Sequence, residues 1–355
     1  MRLPFRLSVL CLGVWLLWGG AWGAEPGECA HVTVLVTTDL HSHLAPIDYY
    51  TDRPAENGLA KIATLVAQAR QRDAHLLLLD CGDTIQGTPL AAYHSRYNNA
   101  PPDPMMLAMN ALGYDAMTLG NHEFNFGLPV LEKARQEARF PWLSANTYRV
   151  GSDTPAFPPY LVKEVHGVRI GVLGLTTPGI PSWEDPSHFA GLEFRETVAE
   201  AAKWVRILRE QEHVDAVVAA VHFGLEEDPD SGQRGLGAIA HENAALALAR
   251  QVPGIDLLVL GHTHRAIPAL VVNGVLLAQA GRWGDNLVQA DLYFARTAAG
   301  GWTLSAKASR LLPVRADTPA DPAILALGQP YHAETQAWLN RTIGTCHREL
   351  TTTGA

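Results

Sequence analysis

Leu119-Gly120-Asn121-His122-Glu123-Phe124-Asn125-Phe126-Gly127 sets an amide, an imidazole and a carboxylate in three consecutive positions between glycines. Ahead of it, Ala116 to Leu119 is a short apolar run that reads as a buried strand. Behind it, Leu128 to Ala138 reads as a helix. The polar triplet is therefore expected on a strand-to-helix loop, where α/β enzymes keep their sites. Taken singly, Asn-His-Glu is most often a polar turn. Its neighbours along the chain change that reading.

Upstream, Val32 to Thr38 reads as a strand that ends in Asp39-Leu40-His41-Ser42-His43, and His75 to Leu79 as a strand that ends in Asp80-Cys81-Gly82-Asp83. Downstream, Ala216 to Val221 delivers His222, and Ile255 to Leu260 delivers Gly261-His262-Thr263-His264. Each polar cluster thus follows an apolar strand. Gly58 to Arg72, Met105 to Leu112 and Thr197 to Glu212 carry helical spacing, and Tyr160 to Thr177 reads as a hairpin turning at His166-Gly167. Three late strands, Ala269 to Ala278, Asn286 to Phe294 and Trp302 to Leu311, follow without helices between them. The fold class expected is α/β, a two-sheet sandwich flanked by helices, and not a doubly wound single sheet. Pro322 to Leu339 reads as a lone helix at the end.

The clusters are all oxygen and nitrogen donors: Asp39, His41, Asp83, Asn121, His222, His262 and His264. Imidazole, carboxylate and amide without thiolate suit divalent Mn, Fe, Co or Zn. Asp39 with His41, and His262 with His264, are expected to point to one side, as residues i and i+2 of a strand do. Seven donors exceed one tetrahedral ion and suffice for two ions that share a carboxylate. Two ions about 3.5 to 4 Å apart clamp the attacking and leaving oxygens of an in-line displacement. The expected nucleophile is a water activated between them.

The ordered set Asp-x-His, Gly-Asp, Gly-Asn-His-Glu, His, Gly-His-x-His resembles that of the calcineurin-like metallophosphoesterases over about Val32 to Leu312. Within that family it is most similar to the secreted 5′-nucleotidase branch and its 2′,3′-cyclic-nucleotide phosphodiesterases. The stretches that carry this are Asp48-Tyr49-Tyr50, Gly82 to Leu90, Asn121 to Leu128 and Val252 to Asp256. The resemblance implies that Asp39, His41, Asp83 and His264 hold one ion. It implies that Asp83, Asn121, His222 and His262 hold the other, with Asp83 bridging. His122 and Asn125 would be catalytic, His122 facing the phosphoryl oxygens or the leaving group, and Glu123 would fix a ligand's orientation. Asn125 stands where many members carry Asp; an amide orients His122 without adding charge, and Asn is also what the cyclic-nucleotide branch shows.

The implied substrate is a small nucleotide or other phosphoester. Rival readings are a sulfur-ester hydrolase of the same superfamily, with its Gly-His-Thr-His ending, and a metal-binding fragment of weak activity. The branch carries a second, carboxyl-terminal domain that grips the nucleoside, and this chain ends where a connector would lead to it. Residues 30–315 are accordingly expected as the catalytic domain and 316–355 as a linker helix and tail. Asp48-Tyr49-Tyr50 is expected to pack under its loop.

Arg2 and Arg6, the apolar run Leu7 to Trp18, and Ala21-Trp22-Gly23 read as a secretory signal peptide over residues 1–23. The run is shorter than the roughly 20 residues a spanning helix needs. A secreted protein is expected, periplasmic in a Gram-negative source, with no stable membrane anchor. Loss of the leader leaves 25 basic against 36 acidic side chains, a formal charge of −11. That balance disfavours duplex nucleic acid and anionic membranes as partners. Cys29, Cys81 and Cys346 are an odd set in which Cys29 and Cys346 could pair; Cys81 reads as a small buried residue.

Overall fold

The computed structural model describes residues 27–228, 231–234, 239–345 and 347. The expected leader and Cys346 lie outside the described residues. Twelve strands form two six-stranded sheets. The first sheet takes β1 (Cys29–Thr37), β2 (Leu77–Asp80), β3 (Ala116–Thr118) and β4 (Trp142–Leu143) from the early chain. The second takes β5 (Tyr160–Val165), β6 (Val168–Thr176), β7 (Ala216–His222), β8 (Leu257–Leu260), β9 (Ala266–Val272) and β10 (Val275–Ala280). The last two, β11 (Asn286–Arg296) and β12 (Trp302–Pro313), return to the first sheet. Its order is β12-β11-β1-β2-β3-β4, and that of the second is β9-β10-β8-β7-β6-β5.

Strands β1 to β4 run parallel to one another, and so do β6, β7, β8 and β10, while β11, β5 and β9 pair with them antiparallel. Parallel strands require covered faces on both sides, which explains their unbroken apolar runs. Val34 and Val36 of β1 face Val172, Val218 and Val259 of the second sheet in one shared core. Leu35, between them, points the other way, into the core beneath α1 (Leu59–Arg70), α3 (Pro104–Leu112) and α4 (Leu128–Glu137). On the far side, Leu173, Val217 and Leu258 pack under α5 (Thr197–Glu210) and α6 (Ala245–Gln251). Each such side chain contributes roughly 1.5–3 kcal/mol on burial. The expected two-sheet α/β sandwich is the fold observed.

Two expectations need correction. Ala269 to Ala278 is not one strand but a hairpin, because Asn273 and Gly274 both take positive φ (50° and 79°) and reverse the chain between β9 and β10. The helix α7 (Pro322–Leu339) does not stand alone: Ile324 and Thr335 are buried, and His332 Nδ1 lies 3.1 Å from the Tyr49 hydroxyl. The helix α2 (Pro89–Tyr97), unexpected from periodicity, starts at Thr88, whose hydroxyl accepts from Ala91 N, with Pro89 in the first turn. Among the described residues, no helix is long and apolar enough to cross a membrane.

Candidate active site

Asp39 and His41 follow the carboxyl end of β1, Asp83 that of β2, and Asn121 and His122 that of β3. His222 is the last residue of β7, and His262 and His264 follow β8. The parallel strands of both sheets therefore present their carboxyl ends to one crevice. Asp39, His41 and His264 offer ligand atoms within 4.8 Å of one another, and so do Asp83, His222 and His262.

The two sets adjoin. Asp83 Oδ2 lies 3.1 Å from His222 Nε2 in one set and 3.9 Å from His41 Nε2 in the other. Asn121 Oδ1 lies 3.1 Å from His222 Nε2 and 2.9 Å from His262 Nδ1. His41 Nε2 and His264 Nε2 face each other at 3.0 Å.

The convergence has a different local cause from the strand alternation expected of Asp39-x-His41 and His262-x-His264. Asp39, His41, Asp83, His262 and His264 all have φ between 46° and 71°. They sit in left-handed turns beyond the strand ends. Such backbone is rare for residues with a Cβ and persists where surrounding contacts over-determine it. Those contacts are visible: Asp39 N donates to Gly82 O and His41 N to Asp83 O, lacing the two loops together. Glu123 completes the lacing, its carboxylate accepting from the backbone N–H groups of Asp83, Thr84 and Gly120 at 2.9, 2.6 and 2.7 Å. Gly120 leaves the space; a Cβ there would lie 2.5 Å from Asp83 N and 2.8 Å from His222 Cε1.

The donors fit divalent cations by their back bonds as well as by their type. His41 Nδ1 is held by Gln86 O at 3.0 Å and His222 Nδ1 by Cys81 O at 2.6 Å, so both Nε2 atoms turn toward the centre. His262 Nε2 is held by Glu242 at 2.8 Å, leaving Nδ1 turned inward. A backbone carbonyl or carboxylate on the far nitrogen is how ligating imidazoles are oriented.

Charge is balanced tightly in this crevice. Burial acts to raise the Asp83 carboxyl, but the imidazoles of His222, His122 and His41 hold it well below the usual carboxylate range. Burial alone would lower His222; the Asp83 carboxylate pushes it up to about 10. The proton on His222 is the positive charge that Asp83 demands, and a divalent ion on the same atoms would replace it. Burial lowers His41 and raises Glu123, the latter with help from Asp83. The hydrogen bond to His262 lowers Glu242.

His122 stands at the rim, its side chain 35% exposed and Nε2 3.9 Å from Asp83 Oδ2. Its Nδ1 is 2.5 Å from Asn125 Oδ1. Beside them opens a cleft of 610 Å³ lined by Tyr50, Arg96, Asn125, Phe126, His188 and Trp338, among others. Tyr49 is buried as expected, but Tyr50 is 84% exposed. Asp48 turns the chain outward there, accepting from Tyr50 N and Thr51 Oγ1 at 2.9 and 2.7 Å. Cys81 is buried, and burial pushes its thiol well above the ordinary range.

Three contributors escaped the sequence reading. Thr38 donates to Asp39 at 2.5 Å, Glu242 backs His262, and Glu184 takes the Asn125 amide. Glu184 does lie in a polar run past a strand, the signal used for the others, but eight residues beyond the end of β6. Glu242 lies 20 residues beyond His222, beside no periodic segment.

A family model described as calcineurin-like phosphoesterase matches residues 32–266. The chain is 34% identical over 88% of its length to a 2′,3′-cyclic-nucleotide 2′-phosphodiesterase/3′-nucleotidase of Haemophilus influenzae, covering 50% of that protein. It spans about half the length of the curated relatives it matches. Among solved structures, the calcineurin-like phosphoesterase YfkN from Bacillus subtilis superposes with a TM-score of 0.79 at 29% identity, covering 88% of this chain and 100% of that one. The sulfate thiohydrolase SoxB of Thermus thermophilus superposes at 0.71, covering 86% of this chain and 61% of that one; at 21% identity this likeness extends to the fold alone.

Proposed function

The chain belongs to the calcineurin-like phosphoesterase family, and from that premise we propose that it hydrolyses phosphoesters with two divalent metal ions, its substrates being 2′,3′-cyclic nucleotides or nucleoside monophosphates. The observation that supports this most is the meeting of seven oxygen and nitrogen donors at the strand ends of both sheets, in two adjoining sets. In this reading Asp39, His41, Asp83 and His264 hold one ion and Asp83, Asn121, His222 and His262 the other. When bound, the two ions supply positive charge for the phosphoryl oxygens and acidify a water to a near-neutral pKa.

The protein's own groups do the rest. Asp83 joins the two sets, and Glu123 fixes the loop that carries it. His122 presents Nε2 to the phosphoryl group or the leaving oxygen, where it takes up developing charge or a proton. Asn125 holds its other nitrogen. The substrate named by the Haemophilus influenzae relative supports the nucleotide class. Residues 30–315 form the catalytic unit and 316–355 a linker in this reading, and the arginines and apolar run of residues 1–23 support export.

Turnover of bis-p-nitrophenyl phosphate and 2′,3′-cyclic AMP, with Mn added and then with a chelator, tests the proposal. Metal-dependent release of p-nitrophenol and of a nucleoside monophosphate is expected. Stoichiometric metal binding without turnover of either ester would sink it.

A further inference from the structure

The loop after β6 carries a side chain whose contacts reach the reacting group. Glu184 accepts from the Asn125 amide nitrogen at close range, and its second oxygen lies 2.7 Å from His188 Nδ1. Its side chain is 10% exposed. An ionised carboxylate only accepts hydrogen bonds, so the Asn125 atom that faces it is the NH₂ group. The amide oxygen therefore faces His122 Nδ1, at 2.5 Å, and can only accept. His122 Nδ1 carries the hydrogen, and Nε2 is left to face the site.

An amide is nearly symmetric in shape. Among the described residues, its hydrogen-bond partners are His122 on one side and Glu184 on the other. Glu184 is the partner that gives it a direction. Reversed, the amide would point N–H at Nδ1 and select the opposite tautomer of His122.

We propose that Glu184 is a positioning residue: through the Asn125 amide it fixes the tautomer of His122, and it is the reason position 125 holds an amide and not a carboxylate. The inference rests on the reading of His122 as the group that faces the phosphoryl centre. An Asp at 125 would stand in hydrogen-bond contact with Glu184, both largely out of water, and two such carboxylates repel or trap a proton between them. The full chain His122–Asn125–Glu184–His188 runs from the candidate metal centre along the wall of the 610 Å³ cleft.

The test is a long-range ¹H–¹⁵N spectrum of histidine-labelled protein supplemented with Zn, at about pH 8, above the ordinary imidazole range. His122 is assigned by its loss in His122→Gln. The wild type should show the Nδ1–H tautomer, and Glu184→Ala should show a mixture or the Nε2–H form. In parallel, Glu184→Gln should lower kcat about tenfold with KM unchanged. Asn125→Asp should lose a similar factor, and Asn125→Asp with Glu184→Gln should regain most of it. The same tautomer in wild type and Glu184→Ala, or a double variant no faster than Asn125→Asp, overturns the proposal. The spectrum does not depend on turnover, so an inactive wild type would sink the phosphoesterase reading while the tautomer still decides the role of Glu184.

Discussion

His222 Nε2 lies 3.1 Å from Asp83 Oδ2, and neither side chain is more than 2% exposed. The two residues come from different sheets, so this pair ties the sheets together at the site. Asp83 also adjoins His41 and His122, each at 3.9 Å. Asp83→Ala should therefore lose both metals, and turnover with them, because the group common to both sets is gone. Metal analysis of the purified variant and its rate on bis-p-nitrophenyl phosphate check this. Two equivalents of metal together with a wild-type rate would show that Asp83 does not bridge.

His122→Ala should separate from that behaviour. Its imidazole is hydrogen-bonded to Asn125 and stands at the rim, outside the two donor sets. The variant should keep its metals and lose kcat by roughly a hundredfold or more, the scale of a lost general acid or charge stabiliser. Loss of metal from this variant would make His122 a ligand.

Gly120→Ala probes the close approach of the two loops. Its Cβ would press on Asp83 N and the His222 ring. Neither neighbour can retreat: one is backbone, and the other is fully buried. Overpacking of this kind costs about 1–3 kcal/mol, to be read as a lower Tm, with weakened metal affinity beside it. An unchanged Tm and metal content would mean that the Gly82–Asp83 loop yields.

The fold was legible because the parallel strands are buried on both faces and each site cluster follows one directly. Val32 to Thr38, followed by Asp39, carries both signals in eight residues. The run Ala269 to Ala278 misled because Asn273-Gly274 interrupts it by backbone conformation, while apolar residues continue on both sides. The Asp39-x-His41 spacing pointed to two side chains that do converge, but left-handed turns bring them together and not strand alternation. Glu242 left no signal in the sequence, and that of Glu184 is faint, eight residues beyond the end of β6. Their roles depend on where long loops return, and no local periodicity records that.

Asp103 offers a pH test away from the metal centre. It caps α3, accepting from Met105 N and Met106 N, yet burial raises its carboxyl to about 6. Glu137 adds to the rise and Lys133 opposes it; His94, itself lowered to about 4 by burial, is no cationic partner, and Tyr331 lies close by. The folded state thus binds its proton more tightly than the unfolded chain, whose Asp titrates near 3.8. Its stabilising contribution is present below about pH 4 and is lost as pH rises through 6. Asn caps as well as Asp without titrating. Asp103→Asn should gain on wild type by roughly 2–3 kcal/mol between pH 4 and 7, measured by urea unfolding at each pH. A stability difference that is flat with pH would place the Asp103 carboxyl at its ordinary pKa.

The last prediction concerns discrimination among nucleotides. In the proposed reading, metal ions and His122 act on the phosphoryl group, which every substrate shares, so preference for one base must come from contacts beyond it. The cleft beside Asn125 offers Tyr50, Phe126 and Trp338, with the Arg96 guanidinium 5.5 Å above the Phe126 ring. Stacking on such rings is worth about 1–3 kcal/mol per base and tolerates any base, since each has a π face. Two of the cleft's polar side chains, Glu184 and His188, are already bonded to each other. The four 2′,3′-cyclic nucleotides should therefore differ in kcat/KM by less than about tenfold, and Tyr50→Ala should raise KM for all four alike while sparing kcat. Steady-state kinetics on the four substrates with both proteins provide the comparison. A strong preference for one base that vanishes in Tyr50→Ala would show that this side chain reads the base instead of merely supporting it.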